Sequence, residues 1–327
     1  MSEDTVADTP DVAACYRELL ADPRFARLVK ILRELGRVVV AYSGGVDSAF
    51  LLEVARRTLG ADAVGVLGVS ESLDRNELAA ARELAERRGF RIETIETREY
   101  DNPAYRRNDA DRCYHCKSEL FQRAGEFASA RGIRWVLDGS HVGDRGDYRP
   151  GLRARDEQGV RSPLLEAELD KDAIREFSRR LGLPTWDKPA APCLASRIPY
   201  GSAVTDEKLR QIEAVEATLS ALGFVVRRVR HHGDVARIEV PRERIAALIE
   251  PATVAAVVAT AKRCGFRHVA VDLEGYRSGS LNDAILPAPG ATAPPAEPVP
   301  LAEPAPLAEP VPLAEPVLPG PLRPRGG

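Results

Sequence analysis

The sequence lacks any run of about 18 apolar residues, the length a helical membrane span needs, so no such span is expected. Its N-terminus, MSEDTVADTP, is acidic and has no apolar h-region, which predicts no secretory signal. An excess of one charge is also missing. Lys plus Arg is 46, Asp plus Glu is 49, and the net charge is −3, so there is no chain-wide electrostatic footprint for nucleic acid. Cysteine is limited to five, Cys15, Cys113, Cys116, Cys193 and Cys264. With an odd count and no export signal, these read as thiols in a reducing compartment, which excludes a disulfide framework and predicts a cytoplasmic location.

What is present points to folded α/β structure. A length of 327 residues suits roughly two domains. With 44% hydrophobic and 29% charged residues, the chain can bury a core without disulfide or metal staples. Of the 25 prolines, 14 fall in the 41 residues from Pro287 to Gly327, where Pro-Leu-Ala-Glu-Pro repeats at 300–304, 306–310 and 312–316. Proline at this density predicts a disordered or polyproline II tail, either a solvated extension or a partner-docking segment. Residues 1–185 alternate strand and helix patterns. Strands are expected at 37–42, 63–69, 90–95 and 134–138, and helices at 12–35, 48–59, 74–88, 117–130 and 171–181. That alternation argues for a doubly wound parallel sheet. Residues 186–286 read as a smaller α/β module, with helices at 205–222 and 241–264 and strands at 225–229, 236–240 and 268–273.

Four segments carry candidate chemistry. Ser43-Gly44-Gly45-Val46-Asp47-Ser48 follows an apolar strand and opens a helix. Its glycines permit close backbone approach, and its amides with the helix dipole would form an anion nest. It has neither the lysine of a Walker A loop nor a G-x-G-x-x-G fingerprint. The second segment, Arg112-Cys113-Tyr114-His115-Cys116-Lys117, reads as a zinc half-site, a redox pair, a structural loop, or a contact through Arg112, Tyr114 or Lys117. The third, Pro192-Cys193-Leu194-Ala195-Ser196-Arg197, puts a thiol between Lys188 and Arg197, which favour the thiolate, although a lone loop cysteine is more often inert. In the fourth, Arg228 and Arg230 lie two apart on a strand and share a face. They read either as an anion-bridged pair or as a solvated edge.

The SGGVDS loop is the pyrophosphate-loop signature of the PP-loop ATP pyrophosphatases. Together RCYHCKSELF, DGSHVGD with DYRPG, PCLASRIPYG, RVRHHGDVARIEV and DLEGYRSGSLN resemble the LarE-type ATP-dependent sacrificial sulfur transferases, from about Leu28 to Asn282. The resemblance implies a PP-loop domain (1–185, adenine nucleotide alpha hydrolase-like), a sulfur-donor and substrate-binding domain (186–286) and the tail (287–327). It implies ATP bound by Ser43, Gly44, Gly45, Asp47 and Ser48, with Mg²⁺ at Asp47. The implied substrate is pyridinium-3,5-biscarboxylic acid mononucleotide, bound by Ser196, Arg197, Arg228 and Arg230. Cys193 would donate its sulfur and become dehydroalanine, and Glu216 would handle protons. A homo-oligomer, hexameric in the family, and handover to a nickel-inserting enzyme are implied as well, in biosynthesis of the nickel-pincer nucleotide. Some members carry three cysteines that hold an iron–sulfur cluster, two of them C-terminal. This chain has only Cys264 there, which favours the sacrificial route.

Rival readings are a tRNA thiolase, an amide-forming synthetase and a non-catalytic nucleotide-binding regulator. The near-neutral charge disfavours the first. No glutaminase domain accompanies the second. Mere nucleotide binding would need no thiol at Cys193.

Overall fold

The computed structural model describes residues 10–144, 150–277 and 279–281. The chain divides at Leu286 into two units, and every described residue belongs to the first. The expected Pro-rich tail, Ser278 and the first three residues of DYRPG lie outside the described residues.

Helices α1 (Pro10–Leu19) and α2 (Pro23–Leu35) occupy the stretch expected as one helix. Asp22 splits it: its side chain accepts from the Arg24 N–H at 2.8 Å, and Pro23 takes the first helical position, where its missing N–H costs nothing. The parallel αβ layer follows as β1 (Val38–Ala41), α3 (Val46–Leu59), β2 (Ala63–Val69), α4 (Arg75–Arg88), β3 (Ile92–Glu96), α5 (Pro103–Arg107), α6 (Arg112–Ser129) and β4 (Trp135–Leu137). Strand order is β3-β2-β1-β4, and every pairing is parallel. Strand order therefore reverses beside β1, and in open α/β sheets the crevice at such a point binds ligands. Helices α7 (Pro150–Glu157), α8 (Pro163–Glu166) and α9 (Lys171–Arg180) complete this part, and the first two were not expected from the sequence.

Alternation along β1 buries both sheet faces. Val38 and Val40 join a core with Phe25, Phe50 and Phe177, while Val39 joins Val66, Phe121 and Ala124 on the other side. Fully burying side chains of this kind contributes about 1.5–3 kcal/mol each.

A second sheet, β5-β6-β7, mixes directions. β5 (Arg228–His232) and β6 (Val235–Glu239) are antiparallel, and β6 and β7 (His268–Val271) are parallel. The strand expected at 225–229 lies at Arg228–His232, because Gly233 (φ +61°) with Asp234 makes a two-residue hairpin turn that fixes the register. Helices α10 (Asp206–Ala221), α11 (Ile245–Leu248) and α12 (Pro251–Arg263) cover this sheet. The single helix expected at 241–264 is broken before Pro251, since Pro disfavours helical dihedrals at the preceding residue. The core here takes in Leu194, Ala195 and Ile198 from the cysteine loop and Tyr105 from α5. Among the described residues no single helix is long and apolar enough to cross a membrane.

One buried ion pair ties the first sheet's helices together. Arg88 of α4 donates to Glu53 of α3 at 2.7 Å and to the Leu181 carbonyl at 3.0 Å, with both side chains fully enclosed. Removing one member of such a pair strands the other charge in low dielectric. Glu53→Ala is expected to lower unfolding stability by about 3–5 kcal/mol, seen as a lower urea midpoint at unchanged slope.

Candidate active site

The Ser43–Ser48 segment turns from β1 into α3 at the reversal of strand order. Tyr42 Oη donates to the Ala81 carbonyl at 2.9 Å and draws α4 over the turn. Gly44 has φ +69°, and a Cβ there would sit 2.5 Å from Ala81 Cβ, so only glycine fits. Ser43 and Ser48 hydroxyls lie 3.0 Å apart, and Ser48 Oγ accepts from the Ser43 N–H at 3.1 Å. Gly45 caps α3 with no side-chain hydrogen bond, so no side chain competes for its first-turn N–H groups. Gly139, after β4, closes the other side: a Cβ there would lie 3.1 Å from the Ser48 nitrogen.

Charge converges on this turn from residues that no local motif announces. Lys171, at the start of α9, donates to both Asp47 carboxylate oxygens at 2.6 Å. His141 Nε2 stands 4.0 Å from Asp47 Oδ1. Lys188 Nζ donates to the Gly44 carbonyl at 3.3 Å and pairs with Glu77 at 2.7 Å. From the sequence, Lys188 counts only as a neighbour of Cys193, and its Pro-punctuated loop is the signal that it reaches across. Lys171 and His141 carry no such signal, because only the fold brings them to Asp47.

Cys193 caps a short 3-10 turn, Leu194–Arg197, and is half-buried. Arg197 is enclosed and binds Glu216 of α10 in a two-pronged pair at 2.8 and 2.9 Å. Its remaining nitrogen donates to the carbonyls of Pro192 and Cys193 and to Ser196 Oγ. Burial works against the Arg197 charge, but Glu216 outweighs it and the net pKa is raised. Glu216 also accepts from the Val229 N–H at 2.9 Å. The proton-handling role expected of Glu216 therefore meets a carboxylate whose oxygens already hold three donors. Its geometry is that of a positioning residue.

Arg228 and Arg230 share a face of β5 as expected, but their environments differ. Arg230 pairs with Glu239 at 2.9 Å through both nitrogens and donates to the Ser196 carbonyl and Ser280 Oγ, each at 2.9 Å. Both side chains are buried, so the solvated-edge reading does not hold, and Glu239 neutralises Arg230 within the fold. Arg228 donates to the Arg227 and Ala190 carbonyls, each at 2.6 Å, and lies over the Tyr276 ring. Burial and then the neighbouring Arg197 hold its pKa below the usual arginine value. A cavity of about 410 Å³ opens beside Arg197, Arg230, His232, Arg237 and Asp272. Partial burial and then Arg237 lower the His232 pKa.

The Cys113-x-x-Cys116 segment is helical, in the first turns of α6, and not the loop expected before residue 117. Arg112 donates to Asn108 Oδ1 and to the Ala195 carbonyl, both at 2.6 Å. Asn108 Nδ2 in turn donates to the Ile198, Pro199 and Ser202 carbonyls. The segment thus buttresses the Cys193 loop. Among the described residues, no group of three or more His, Cys, Asp or Glu is placed to hold a metal ion, which leaves the zinc reading without a ligand set.

Comparison with known proteins decides the family. Pyridinium-3,5-bisthiocarboxylic acid mononucleotide synthase from Lactiplantibacillus plantarum is 39% identical over 268 residues, 82% of this chain and 96% of that protein. The chain belongs to this LarE-type synthase family. An uncharacterized protein of Synechocystis sp. is 43% identical over 266 residues, covering 81% of this chain and 99% of its own length. An uncharacterized protein of Methanocaldococcus jannaschii is 28% identical over 246 residues, 74% of this chain and 91% of its own. No family model matches the chain.

The two arginines in this family member's site should respond oppositely to loss of charge. Arg197→Met leaves Glu216 buried without its counter-ion and is expected to cost about 3–5 kcal/mol. Arg228→Met removes a buried guanidinium that makes no carboxylate ion pair among the described residues and should leave stability unchanged or raised. Equal urea midpoints for the two variants would contradict this assignment of charge pairing.

Proposed function

We propose that the chain transfers sulfur from Cys193 to the adenylated carboxylates of pyridinium-3,5-biscarboxylic acid mononucleotide, in biosynthesis of a nickel-pincer nucleotide. The observation that carries this reading is the contact between the two loops. Lys188, five residues before Cys193, donates to the Gly44 carbonyl of the glycine-rich turn. Leu194, the residue after Cys193, donates its N–H to the Ser72 carbonyl, just beyond β2, at 2.9 Å. These two contacts tie the cysteine loop to the glycine-rich turn and to the segment after β2, which supports a site shared by phosphate and thiol.

In this reading Ser43, Gly44, Gly45 and Ser48 bind the ATP phosphates at the α3 N-terminus. Asp47 is a carboxylate donor on the same turn and would hold Mg²⁺, a hard cation suited to carboxylate and phosphate oxygen. Bound there, Mg²⁺ would neutralise phosphate charge; Lys171 and Lys188 supply positive charge from the protein itself. A substrate carboxylate oxygen attacks the α-phosphorus, and pyrophosphate leaves. The Cys193 sulfur then attacks the acyl carbon and AMP leaves, giving a thioester. Loss of the Cys193 Cα proton breaks the Cβ–S bond, so the thiocarboxylate departs and residue 193 becomes dehydroalanine. Arg228, which makes no carboxylate ion pair among the described residues, takes the substrate phosphate with Arg230 beside it. Ser196 and Arg197 hold the donor loop in place, and Glu216 acts through Arg197.

The same reading assigns nucleotide chemistry to residues 1–185 and sulfur donation to 186–286, with the tail from 287 outside both. It takes the protein as a cytoplasmic homo-oligomer that hands its product to a nickel-inserting enzyme. An iron–sulfur version of the reaction is disfavoured because Cys264, at the end of α12, has no second C-terminal cysteine to join it.

Two measurements test the proposal. Intact-mass analysis after reaction with ATP, Mg²⁺ and the biscarboxylate mononucleotide should show loss of one H₂S per chain, absent in Cys193→Ala. Product formed by Cys193→Ala would overturn the donor assignment. Gly44→Ala meets Ala81 and adds about 1–2 kcal/mol of left-handed backbone strain, so ATP affinity by calorimetry should fall about tenfold or more.

A further inference from the structure

The first turns of α6 bring two more thiols to the donor loop than the reaction above uses. Cys116 and Cys193 pack against the same core and lie within electrostatic range of each other and of Tyr105. The connection is continuous. The Leu194 N–H donates to the Ser72 carbonyl, Ser72 Oγ donates to Glu99 Oε1 at 3.3 Å, and Cys116 Sγ–H donates to the same oxygen at 4.0 Å. Glu99 is enclosed, and its second oxygen, Oε2, has no hydrogen-bond partner among the described residues. An acidic group with spare accepting capacity thus sits beside a thiol, next to a loop whose cysteine would become an electrophile.

We propose that, once Cys193 has become dehydroalanine, the Cys116 sulfur adds to its β-carbon and closes a lanthionine thioether between α6 and the donor loop. This rests on the sulfur-transfer reading above. The step is an addition and balances without an oxidant, reductant or further reactant. Cys116 gives its thiol proton to Glu99, and its sulfur lone pair forms the new bond to Cβ of residue 193. The electron pair of the Cα–Cβ double bond takes a proton at Cα, returned by Glu99. Burial, and then Glu99, push the Cys116 thiol well above its usual range. It therefore stays protonated and does not compete for the acyl-adenylate. Cys113 is exposed and interacts instead with Arg112, at 4.0 Å. The cross-link would convert a spent protein carrying a reactive alkene into an inert one.

The test uses the full-length chain reacted with ATP, Mg²⁺ and the biscarboxylate mononucleotide, then unfolded in urea with excess 2-mercaptoethanol. The expected result is loss of one H₂S, no uptake of mercaptoethanol, and a reduction-resistant peptide pair whose fragmentation places the link between Cys116 and Cys193. Cys116→Ser should lose the same H₂S and then take up one mercaptoethanol. Stoichiometric uptake by the unsubstituted chain after H₂S loss would overturn the cross-link and leave the sulfur-transfer reading standing. A link to Cys113 would overturn the assignment to Cys116. Absence of any H₂S loss would overturn both.

Discussion

The site depends on the Arg197–Glu216 pair. It is enclosed, two-pronged and anchored at three places: the cysteine loop through Arg197, helix α10 through Glu216, and strand β5 through the Val229 N–H. A buried pair of this kind contributes little net stability against an apolar replacement, because desolvation offsets the attraction. Its consequence is geometric. Arg197 also holds the Cys193 carbonyl, so the backbone of the cysteine loop is fixed relative to α10 and β5.

From that knot the site extends in two directions. Toward the first sheet, Lys188 and Leu194 reach the glycine-rich turn and the end of β2, and Asn108 and Arg112 grip the far side of the same loop. Toward the second sheet, Arg230 binds the Ser196 carbonyl while Glu239 neutralises it. Cationic residues are therefore of two kinds. Arg197 and Arg230 are paired to carboxylates that hold the protein together, whereas Arg228 makes no carboxylate ion pair among the described residues and rests on carbonyls and the Tyr276 ring.

Crowding at the turn shows how packing restricts the choice of residue. Ala81 approaches Gly44 so closely that even a methyl group has no room, and the Tyr42 hydroxyl keeps α4 in place. The glycine-rich turn is thus held in place by the packing of α4 against it. Lys171 covers the Asp47 carboxylate in the same region, so the charge of Asp47 is balanced within the protein.

Much of this was legible in the sequence where the cause is local. Apolar runs such as Val38–Ala41 mark buried parallel strands, the SGGVDS turn stands between a strand and a helix, and Thr205 caps α10 with its side chain on the Lys208 N–H. Pattern alone also brought out Cys193, Arg228 and Arg230 as unusual. It misplaced what a single cap or turn decides: Asp22–Pro23 cut the first helix, Gly233 moved the β5 register, and Cys113 and Cys116 proved helical. Only the tertiary structure decided which charges are free. Lys171 and Asp47 are 124 residues apart and Asn108 and Pro199 are 91 apart, so no spacing rule connects them. Sequence by itself determined which residues could do chemistry, because that follows from side-chain type and local backbone preference. The fold decided which of them are already spoken for, because pairing and burial depend on neighbours that are distant along the chain.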